Sequence, residues 1–440
     1  KGWYDRAFIE QHTEEFTALK AQADALDLVQ LERQSGLDRV AMQEFAELIG
    51  EANNAVLVWS MGITRHAFGG DTVSMILNLG LLKGWVGRDR CGLMPIRGHS
   101  GVQGGAEMGA YATAFPGGKP INPENAAALE KIYGFPVPDW PGLTATEMVE
   151  AGARGELDLL YCLGGNFLRT LPEPEYVASA LANIPCRVHQ DLILTDQMFI
   201  EPKEEVILLP AKTRYEQDGG GTETITERRV IFSPELPRQV GEAKAEWKIL
   251  RELAAAVDPG RAPLLRCQTG QAIREEIAQL VPFYYGIQRL QKTGDAFQYG
   301  GPHLCAGGKF PTADGRAHFR AVPLPRLDRA PGTFEVSTRR GKQFNSLIYA
   351  EVDPLTGAAR DAVFMNPDDA AALHLRNRDR VALVNDLGRL EGRIFFASIA
   401  RGNLQVHWPE ANVLIRRGRV DPLGGVPDYN AQVTVQKLPS

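Results

Sequence analysis

The sequence predicts a multidomain α/β protein in which doubly wound parallel sheets are followed by a small β-barrel. A chain of 440 residues with 44% hydrophobic residues can bury a large core, and at about 150 residues a domain it predicts roughly two to four domains. Apolar strands alternate with helices over the first 250 residues, which is typical of parallel sheets. After Pro331-Gly332 the pattern changes to short strands separated by turn residues.

Composition and charge exclude two classes of protein. Lys and Arg total 48 against 54 Asp and Glu, and no basic run stands out, so the sequence predicts no nucleic-acid partner. The longest apolar stretch, residues 73–82, is shorter than the ~20 residues that span a bilayer. The sequence therefore predicts no membrane segment.

Cysteine and histidine spacing gives no local metal site. No CxxC, HxH or HxxxH pair occurs, so an iron–sulfur cluster and a His-ligated metal are not supported. Scattered cysteines are usually small buried hydrophobes. Because the chain opens on Lys1 and not on Met, we expect a processed or truncated piece of a cytoplasmic protein whose N-terminal signal region is not visible. The cysteines are Cys91, Cys162, Cys186, Cys267 and Cys305.

The first strand–loop–helix unit follows an N-terminal helical region. Apolar spacing predicts helices over residues 5–19 and 38–49. Residues 55–59 form a continuous apolar run, typical of a parallel strand covered on both faces. This run leads through the loop at Met61-Gly62 to a helix for which Asp71 is the predicted N-cap.

The unit recurs at residues 157–181, and further strands are predicted at 187–191 and 205–210. Ligands of open parallel sheets bind beyond the carboxyl ends of the strands. Residues at those ends are therefore the candidate ligand contacts. They are Met61, Gly62, Gly164, Gly165, Asn166, Gln190 and Asp191.

Each of these motifs also has a purely structural interpretation. Gly164-Gly165-Asn166 can expose backbone N–H groups to a nucleotide, or simply form a turn. Asp191 can accept from a guanine edge or a ribose hydroxyl, or cap the next helix. The glycine strip 219–221 can let the backbone approach a large cofactor, or form a mobile loop that leads into a strand.

The last third of the chain predicts a barrel with one inserted helix. Residues 380–384, 389–396 and 403–408 are predicted strands. Asn366 caps a predicted helix that runs to Leu375. The predicted domains are 1–95, an α/β domain that is the second part of a larger one; 96–257, an α/β dinucleotide-binding domain; 258–333, a proline-rich connecting segment; and 334–440, the barrel.

The loop that follows residues 93–96 is the most informative stretch of the chain. It places Arg97 and His99 among glycines, which permit a close backbone approach, while a guanidinium offers a rigid fork of donors to an anion. His99 can titrate near neutral pH. The alternatives are a surface turn with a solvated Arg97 and a hydrogen-bonded, structural His99.

Taken together, these motifs resemble the molybdopterin oxidoreductases of the dimethyl sulfoxide reductase superfamily, in particular formate dehydrogenase-like alpha subunits. The resemblance covers nearly the whole chain. The matching motifs are YDRAFI at 4–9, VWSMGIT at 58–64, PIRGHSGVQG at 95–104, LGGN at 163–166, QD at 190–191, LPA at 209–211 followed by Glu216 and the glycine strip, STRR at 337–340, NPDD at 366–369, Asn412, and PDY at 427–429.

The resemblance implies a four-part α/β assembly that ends in a double-psi β-barrel. It implies bis-molybdopterin guanine dinucleotide with molybdenum or tungsten as cofactor, a small-molecule substrate, and an electron-acceptor subunit as partner. Arg97 matches the arginine near the metal, where a fixed cation would orient formate, and His99 stands where related enzymes have glutamine. The positions that match the family's dinucleotide contacts are Gly164, Gly165, Asn166, Gln190 and Asp191, and those that match its barrel contacts to the pterins are Ser337, Arg340, Ser346 and Asn412.

Departures from the family pattern leave the substrate open. In the family the metal-ligating residue comes from a region that precedes anything resembling Lys1, so no metal ligand is predicted here and the chain is expected to be inactive by itself. Glu204-Glu205-Val206 replaces the usual Ala-Asp-Val, and Arg214 stands where tryptophan is common. The alternative hypothesis is a non-catalytic scaffold or electron-transfer subunit related to the large subunit of respiratory complex I.

Overall fold

Helices and strands alternate through most of the chain, and strands dominate its last quarter. The structure, a computed structural model, describes residues 2–99, 101–325, 329–341 and 350–439. The helices are α1 Arg6–His12, α2 Phe16–Asp24, α3 Leu28–Ser35, α4 Arg39–Glu51, α5 Gly69–Leu82, α6 Val102–Glu107, α7 Pro123–Tyr133, α8 Ala145–Arg154, α9 Phe167–Thr170, α10 Pro174–Asn183, α11 Glu246–Val257, α12 Gly270–Leu280 and α13 Pro367–Ala372.

The strands belong to several small sheets and one barrel. They are β1 Thr13–Glu14, β2 Val56–Trp59, β3 Gly92–Pro95, β4 Ala114–Phe115, β5 Lys119–Pro120, β6 Leu159–Leu163, β7 Cys186–Asp191, β8 Glu205–Pro210, β9 Gly221–Thr224, β10 Arg229–Ser233, β11 Ala296–Gln298, β12 Ala317–His318, β13 Phe334–Arg339, β14 Ala362–Met365, β15 Arg380–Val384, β16 Arg389–Phe396, β17 Asn403–His407 and β18 Asn430–Lys437.

Side-chain caps set the start of several helices. Asp38 accepts from the Ala41 amide at 2.8 Å at the start of α4, and Asn366 accepts from the Asp368 amide at 2.9 Å before α13, as predicted. The prediction for Asp71 is wrong, because α5 already begins at Gly69. Asp71 lies in the first turn and pairs with Arg320 at 2.9 Å.

The N-terminal helix predicted over residues 5–19 is interrupted. Between α1 and α2, strand β1 pairs in parallel with β12, a strand about 300 residues later in the chain. The buried side chains of Ile9, Leu19 and Phe319 pack together across this junction. Apolar spacing could not show the break, because the strand that causes it is distant in sequence.

The α/β part contains two parallel sheets whose carboxyl ends carry the candidate residues. Strands β6, β7 and β8 are parallel, and β2 pairs in parallel with β3. Helices α8 and α10 cover one face of the larger sheet, where Leu181 and Ile184 are fully buried. Strand β2 is not covered on both faces by the described residues, because Val56 and Val58 are 48% and 52% exposed.

The segment predicted to be connecting chain, 258–333, contains regular elements. Its strand β11 pairs with β10, and the segment also contains the helix α12. Leu280, Tyr284 and Tyr299 from this segment share one buried cluster with Val230 of β10. The boundaries of the four domains stay predictions.

The C-terminal strands close into a six-stranded barrel in the order β13-β17-β14-β16-β15-β18. Its interior is apolar, and Val336, Val381, Leu404 and Val433 are at most 1% exposed. The predicted α/β class and terminal barrel are confirmed. Among the described residues, no helix combines the length and the apolar character needed to cross a membrane.

We expect Leu404→Ala to lower the free energy of unfolding of the protein by about 2–5 kcal/mol, because it removes a fully buried side chain from the barrel core. Leu355→Ala, at a position 74% exposed, is the matched control and should change it by less than about 0.5 kcal/mol. Urea unfolding followed by circular dichroism measures both. Equal effects would contradict this description of the core.

Candidate functional site

Two loops meet where the β2–β3 sheet ends. Met61 and Gly62 form a short 3-10 turn directly after β2, and Arg97 follows β3 by two residues. Ser60 donates to the Ile96 carbonyl at 3.0 Å, which ties the loops together. A Cβ added to Gly98 would lie 3.0 Å from Met61 Sδ, so the two loops approach each other closely at this point.

The barrel faces these loops across a cleft of about 430 Å³. The carboxyl end of β2 supplies one wall and the barrel strands the other, so Met61 and Gly62 share the cleft with Ser337 and Arg340. Four of the predicted contacts therefore come together. The cleft is lined by Ser60, Met61, Gly62, Arg65, His66, Ser337, Thr338, Arg339, Arg340, Gln405, Trp408, Tyr429 and Asn430.

The cleft is strongly cationic. The guanidinium carbons of Arg65 and Arg340 lie 5.6 and 4.5 Å from the ring centroid of Trp408. No carboxylate of the described residues pairs with either arginine, whereas Arg339 pairs with Asp353 at 3.3 Å. Burial, together with the charge of Arg65, lowers the pKa of Arg340. Two like charges are thus held in a partly desolvated cleft, which favours an anion between them.

Arg340 also carries an unsatisfied donor. Its Nε is buried, and it has no hydrogen-bond partner in the part of the chain that the structure describes. An orphaned donor of this kind costs about 1–3 kcal/mol, which a bound acceptor would recover. Ser346, predicted from the resemblance to be a neighbouring contact, lies outside the described residues.

Contacts from the barrel to the α/β part fix the width of the cleft. The Tyr429 amide donates to the Arg65 carbonyl at 3.2 Å, and the Tyr429 hydroxyl donates to the Thr170 carbonyl at 2.8 Å. Asp421 accepts from the Gly70 amide at 3.0 Å. The barrel is therefore anchored both beside the Met61 loop and beside α9.

A second group of predicted contacts lies at the carboxyl end of β6. Gly164 and Gly165 have φ values of +64° and +75°, and a Cβ at either would meet no atom within 4 Å, so both face open space. The Gly164 amide donates to the Gln190 carbonyl at 2.9 Å. This glycine pair forms an open cradle of the kind that admits a phosphate or a base.

Side chains around this cradle mainly hold the structure. Asn166 caps α9 and donates to Asp196 at 2.6 Å. Gln190 is fully buried and accepts from the Tyr161 hydroxyl at 2.7 Å. Asn412, 2% exposed, donates to the Arg169 carbonyl at 2.8 Å and so supports the cradle from behind. Their roles as direct cofactor contacts stay predictions.

Asp191 and the glycine strip have different surroundings in the structure. Asp191 is half-buried at the end of β7 and accepts from the Leu192 amide at 2.7 Å, so it remains near the sheet edge. A Cβ at Gly220 would lie 2.6 Å from the ring of Phe232. Glycine at position 220 is therefore required by packing against β10, whatever else the strip contacts.

Arg97 and His99 line a second cavity of about 330 Å³, and none of its described lining residues also lines the cleft. Arg97 donates to the Pro95 carbonyl at 2.6 Å, which orients the guanidinium, and none of the described acidic residues forms an ion pair with it. His99 is exposed at the mouth of the cavity. The other lining residues are Met94, Ile96, Gln103, Thr224, Ile225, Thr226 and Glu227.

Sequence reasoning missed Arg65, Trp408 and Tyr429 as cleft residues. Arg65 lies four residues after Met61 on the same loop, so its position in the sequence could have identified it as a cleft residue. Trp408 ends a predicted strand and Tyr429 belongs to a matched motif, yet only the closed barrel brings their rings together over Arg65 and Arg340.

Sequence reasoning also passed over His189, which adjoins Gln190 in β7. His189 is 1% exposed, and both ring nitrogens are buried without a partner in the described chain. Burial, followed by the nearby charge of Arg187, lowers its pKa. The imidazole is therefore neutral in the folded protein.

The described residues contain no cluster of three or more His, Cys, Asp or Glu side chains that could hold a metal ion. What they do contain fits an anionic cofactor. Arg340 Nε lacks an acceptor, and two cations lack counter-charges. Open glycines at the end of β6 complete a surface that can receive phosphates and a heterocycle.

This chain belongs to the molybdopterin oxidoreductase family. The family model described as molybdopterin oxidoreductase matches residues 22–256. The model described as the molybdopterin dinucleotide binding domain matches residues 335–433, which correspond to the barrel. The predicted family is confirmed, and the matched ranges contribute both walls of the cleft.

Among its relatives, the chain is 28% identical to protein YdeP of Escherichia coli over 99% of this chain and 59% of YdeP. It is 27% identical to the F420-dependent formate dehydrogenase subunit alpha of Methanocaldococcus jannaschii, over 96% of this chain and 64% of that protein. The chain thus spans about three fifths of the length of these relatives. Among solved structures, acetylene hydratase from Pelobacter acetylenicus has the same fold, with a TM-score of 0.66 at 15% identity over 99% of this chain and 68% of that one.

We expect Arg340→Met to reduce the affinity of the cleft for inorganic pyrophosphate by about 30-fold, which corresponds to about 2 kcal/mol for a lost charge-assisted hydrogen bond. Thermal melting with and without pyrophosphate measures the change. The protein without pyrophosphate should melt at the same or a higher temperature, because a like charge beside Arg65 is removed.

The matched control is Arg401→Met, because that side chain is 67% exposed and pairs with Asp369 at 3.4 Å. It should leave the pyrophosphate-induced shift unchanged. An identical shift in Arg340→Met and in the unmodified protein would contradict the role given to Arg340.

We expect His189→Leu to weaken the acid sensitivity of the fold. The pKa of His189 is lowered in the folded state, so below the ordinary value of 6.5 the unfolded chain takes up a proton that the folded chain does not. The free energy of unfolding then falls as pH falls, by at most about 1.4 kcal/mol per pH unit from this group. Urea unfolding between pH 7 and 5 should show a shallower loss in the variant, and parallel curves would refute the assignment.

Proposed function

We propose that this chain is the cofactor-binding part of a molybdenum- or tungsten-dependent oxidoreductase that uses bis-molybdopterin guanine dinucleotide. Its proposed reaction is the two-electron oxidation of formate or a similarly small substrate. The observation that carries the proposal is the cleft between the Met61 loop and the barrel, where neither Arg65 nor Arg340 pairs with a carboxylate of the described residues. The similarity to a formate dehydrogenase alpha subunit supports the substrate class.

Two surfaces are proposed to hold the two dinucleotides. Arg340, Arg65 and Ser337 would bind the phosphates of one within the cleft, with Met61 and Gly62 against its body. Gly164 and Gly165 would admit part of the other at the end of β6. The bound cofactor supplies the two-electron redox chemistry. A scaffold without that cofactor would have no use for an orphaned Arg340 donor.

Arg97 is proposed to hold the substrate. Its guanidinium is oriented by the Pro95 carbonyl, faces a cavity, and is not neutralised by an acidic partner among the described residues. A fixed cation in that position binds a carboxylate and stabilises charge that develops when a C–H bond breaks. His99, at the mouth, is proposed to contact the same substrate.

Two further proposals concern the partner of the protein and its location in the cell. Electrons that leave the substrate need an acceptor, so we propose an electron-acceptor subunit as the partner. The similarity to a formate dehydrogenase subunit alpha supports this proposal, because that relative is named as one subunit of an enzyme. We propose a cytoplasmic location.

In the enzyme that carries this chain, we expect Arg97→Ala to lower kcat/KM for formate by at least about 100-fold, the usual cost of losing one preorganised group at the reacting centre. Molybdenum or tungsten content should stay unchanged, because Arg97 lies outside the cleft. Dye-coupled formate oxidation and elemental analysis measure the two quantities.

Arg154→Ala is the control for this experiment, because Arg154 is exposed and pairs only with Glu156 at the surface. It should leave both quantities unchanged. Unaltered turnover in Arg97→Ala would remove the role of Arg97, and absence of both metals from the unmodified enzyme would refute the cofactor assignment.

A further inference from the structure

A buried polar network lies directly behind the wall of the Arg97 cavity. Gln103 and Glu107 are four residues apart on α6, so they share one face of the helix. Gln103 Nε2 donates to Glu107 Oε1 at 2.8 Å and to the Tyr299 hydroxyl at 2.9 Å. The Tyr299 hydroxyl donates to Glu107 Oε1 at 3.0 Å, which closes a triangle of three hydrogen bonds.

The tyrosine of this triangle is held firmly in place. Tyr299 is 4% exposed and stacks on Tyr284 with ring centroids 4.7 Å apart. The Tyr284 hydroxyl lies 2.9 Å from Thr224 Oγ1, and Thr224 itself lines the cavity. Burial, together with the charge of Glu107, raises the pKa of Tyr299, so its hydroxyl stays protonated and keeps donating.

The network fixes the orientation of the Gln103 amide. Both hydrogens of Nε2 are committed, one to Glu107 and one to Tyr299. The opposite orientation would set the amide oxygen against the Glu107 carboxylate, two acceptors with no hydrogen between them. Gln103 also lines the Arg97 cavity, so the group that it can offer a ligand there is its carbonyl oxygen, Oε1.

The rest of the cavity has room for a ligand larger than formate. A volume of about 330 Å³ lies at the lower end of the range of about 300–1,000 Å³ found for small-molecule sites. Met94, Ile96 and Ile225 give it an apolar wall, and Glu227 adds an acceptor at its exposed rim. Arg97 supplies donors, whereas Gln103 and Glu227 supply acceptors.

We propose that Gln103, positioned by Glu107 and Tyr299, determines the specificity of the Arg97 cavity. It selects a small carboxylate that bears a hydroxyl or amino group beside the carboxylate. The carboxylate binds Arg97 and the second group donates to Gln103 Oε1. The inference rests on the proposed use of this cavity as the substrate site, and it states which substrates beside formate the cavity prefers: small hydroxy or amino acids.

Acetate, glycolate and glycine test the proposal, because they are nearly equal in size and differ in the donor. Calorimetry on the purified protein measures the affinity of each, without any turnover. We expect glycolate or glycine to bind at least about tenfold more tightly than acetate, because a site built around a donor rejects an analogue that lacks it. Comparison of glycolate with glycine shows whether the preferred donor is a hydroxyl or an ammonium group.

Gln103→Leu should abolish this preference, and Tyr299→Phe should reduce it by freeing the amide to turn. Tyr285→Phe is the matched control, since that side chain is 62% exposed and stacks against Arg289 outside the network. It should retain the full preference. Thermal melting identifies any variant that fails to fold. If either Gln103→Leu or Tyr299→Phe does not fold, the binding preference of the other variant decides the test.

Equal binding of the three acids, or a preference that survives in both folded network variants, would overturn the role of Gln103. If Arg97→Ala still abolished binding in that case, the Arg97 cavity would remain the proposed substrate site. No binding of any of the acids to the unmodified protein would overturn the cavity as a carboxylate site altogether.

Discussion

Two arginines held close together, neither of them paired with a carboxylate in the part of the chain that the structure describes, are the constraint around which the cleft is built. Arg65 comes from the loop after β2 and Arg340 from the end of β13, and the ring of Trp408 lies beside both guanidinium groups. Like charges in a desolvated cleft repel each other, so docking of the barrel must outweigh that cost. Tyr429 supplies much of the docking, through a backbone bond to Arg65 and a hydroxyl bond to Thr170. An anion in the cleft would convert this repulsion into binding energy.

The proposed cofactor site and the proposed substrate site are two separate cavities. Met61 lines the cleft, and its side chain also approaches Gly98, which lies between Arg97 and His99 of the other cavity. Arg340 and its neighbours act as a fixed field for a large anion, whereas Arg97 is a single oriented cation in a smaller space. The hydrogen-bonded wall behind Arg97, with Gln103 at its centre, gives that space a chemical preference of its own.

Much of this arrangement could be predicted from the sequence, and the limits have physical causes. Parallel strands imply a common edge for their carboxyl ends, which is why Met61 and Gly164 could be placed on the ligand side without coordinates. The break between α1 and α2 could not be foreseen, because it depends on pairing between β1 and β12 across about 300 residues. Trp408 could not be foreseen for the same reason, since only barrel closure brings its ring to Arg65 and Arg340. Spacing along a strand also could not show that Gln190 points into the core.

The Met61 loop and the barrel line one cleft, which we propose binds an anion. Amide hydrogen exchange of the purified protein, with and without guanosine diphosphate, reports on both walls of this cleft in one experiment. We expect slower exchange in two segments together, residues 61–66 of the loop and 428–431 of the barrel, with no change in the exposed helix α3. Protection of one segment alone, or of neither, would contradict a shared cleft.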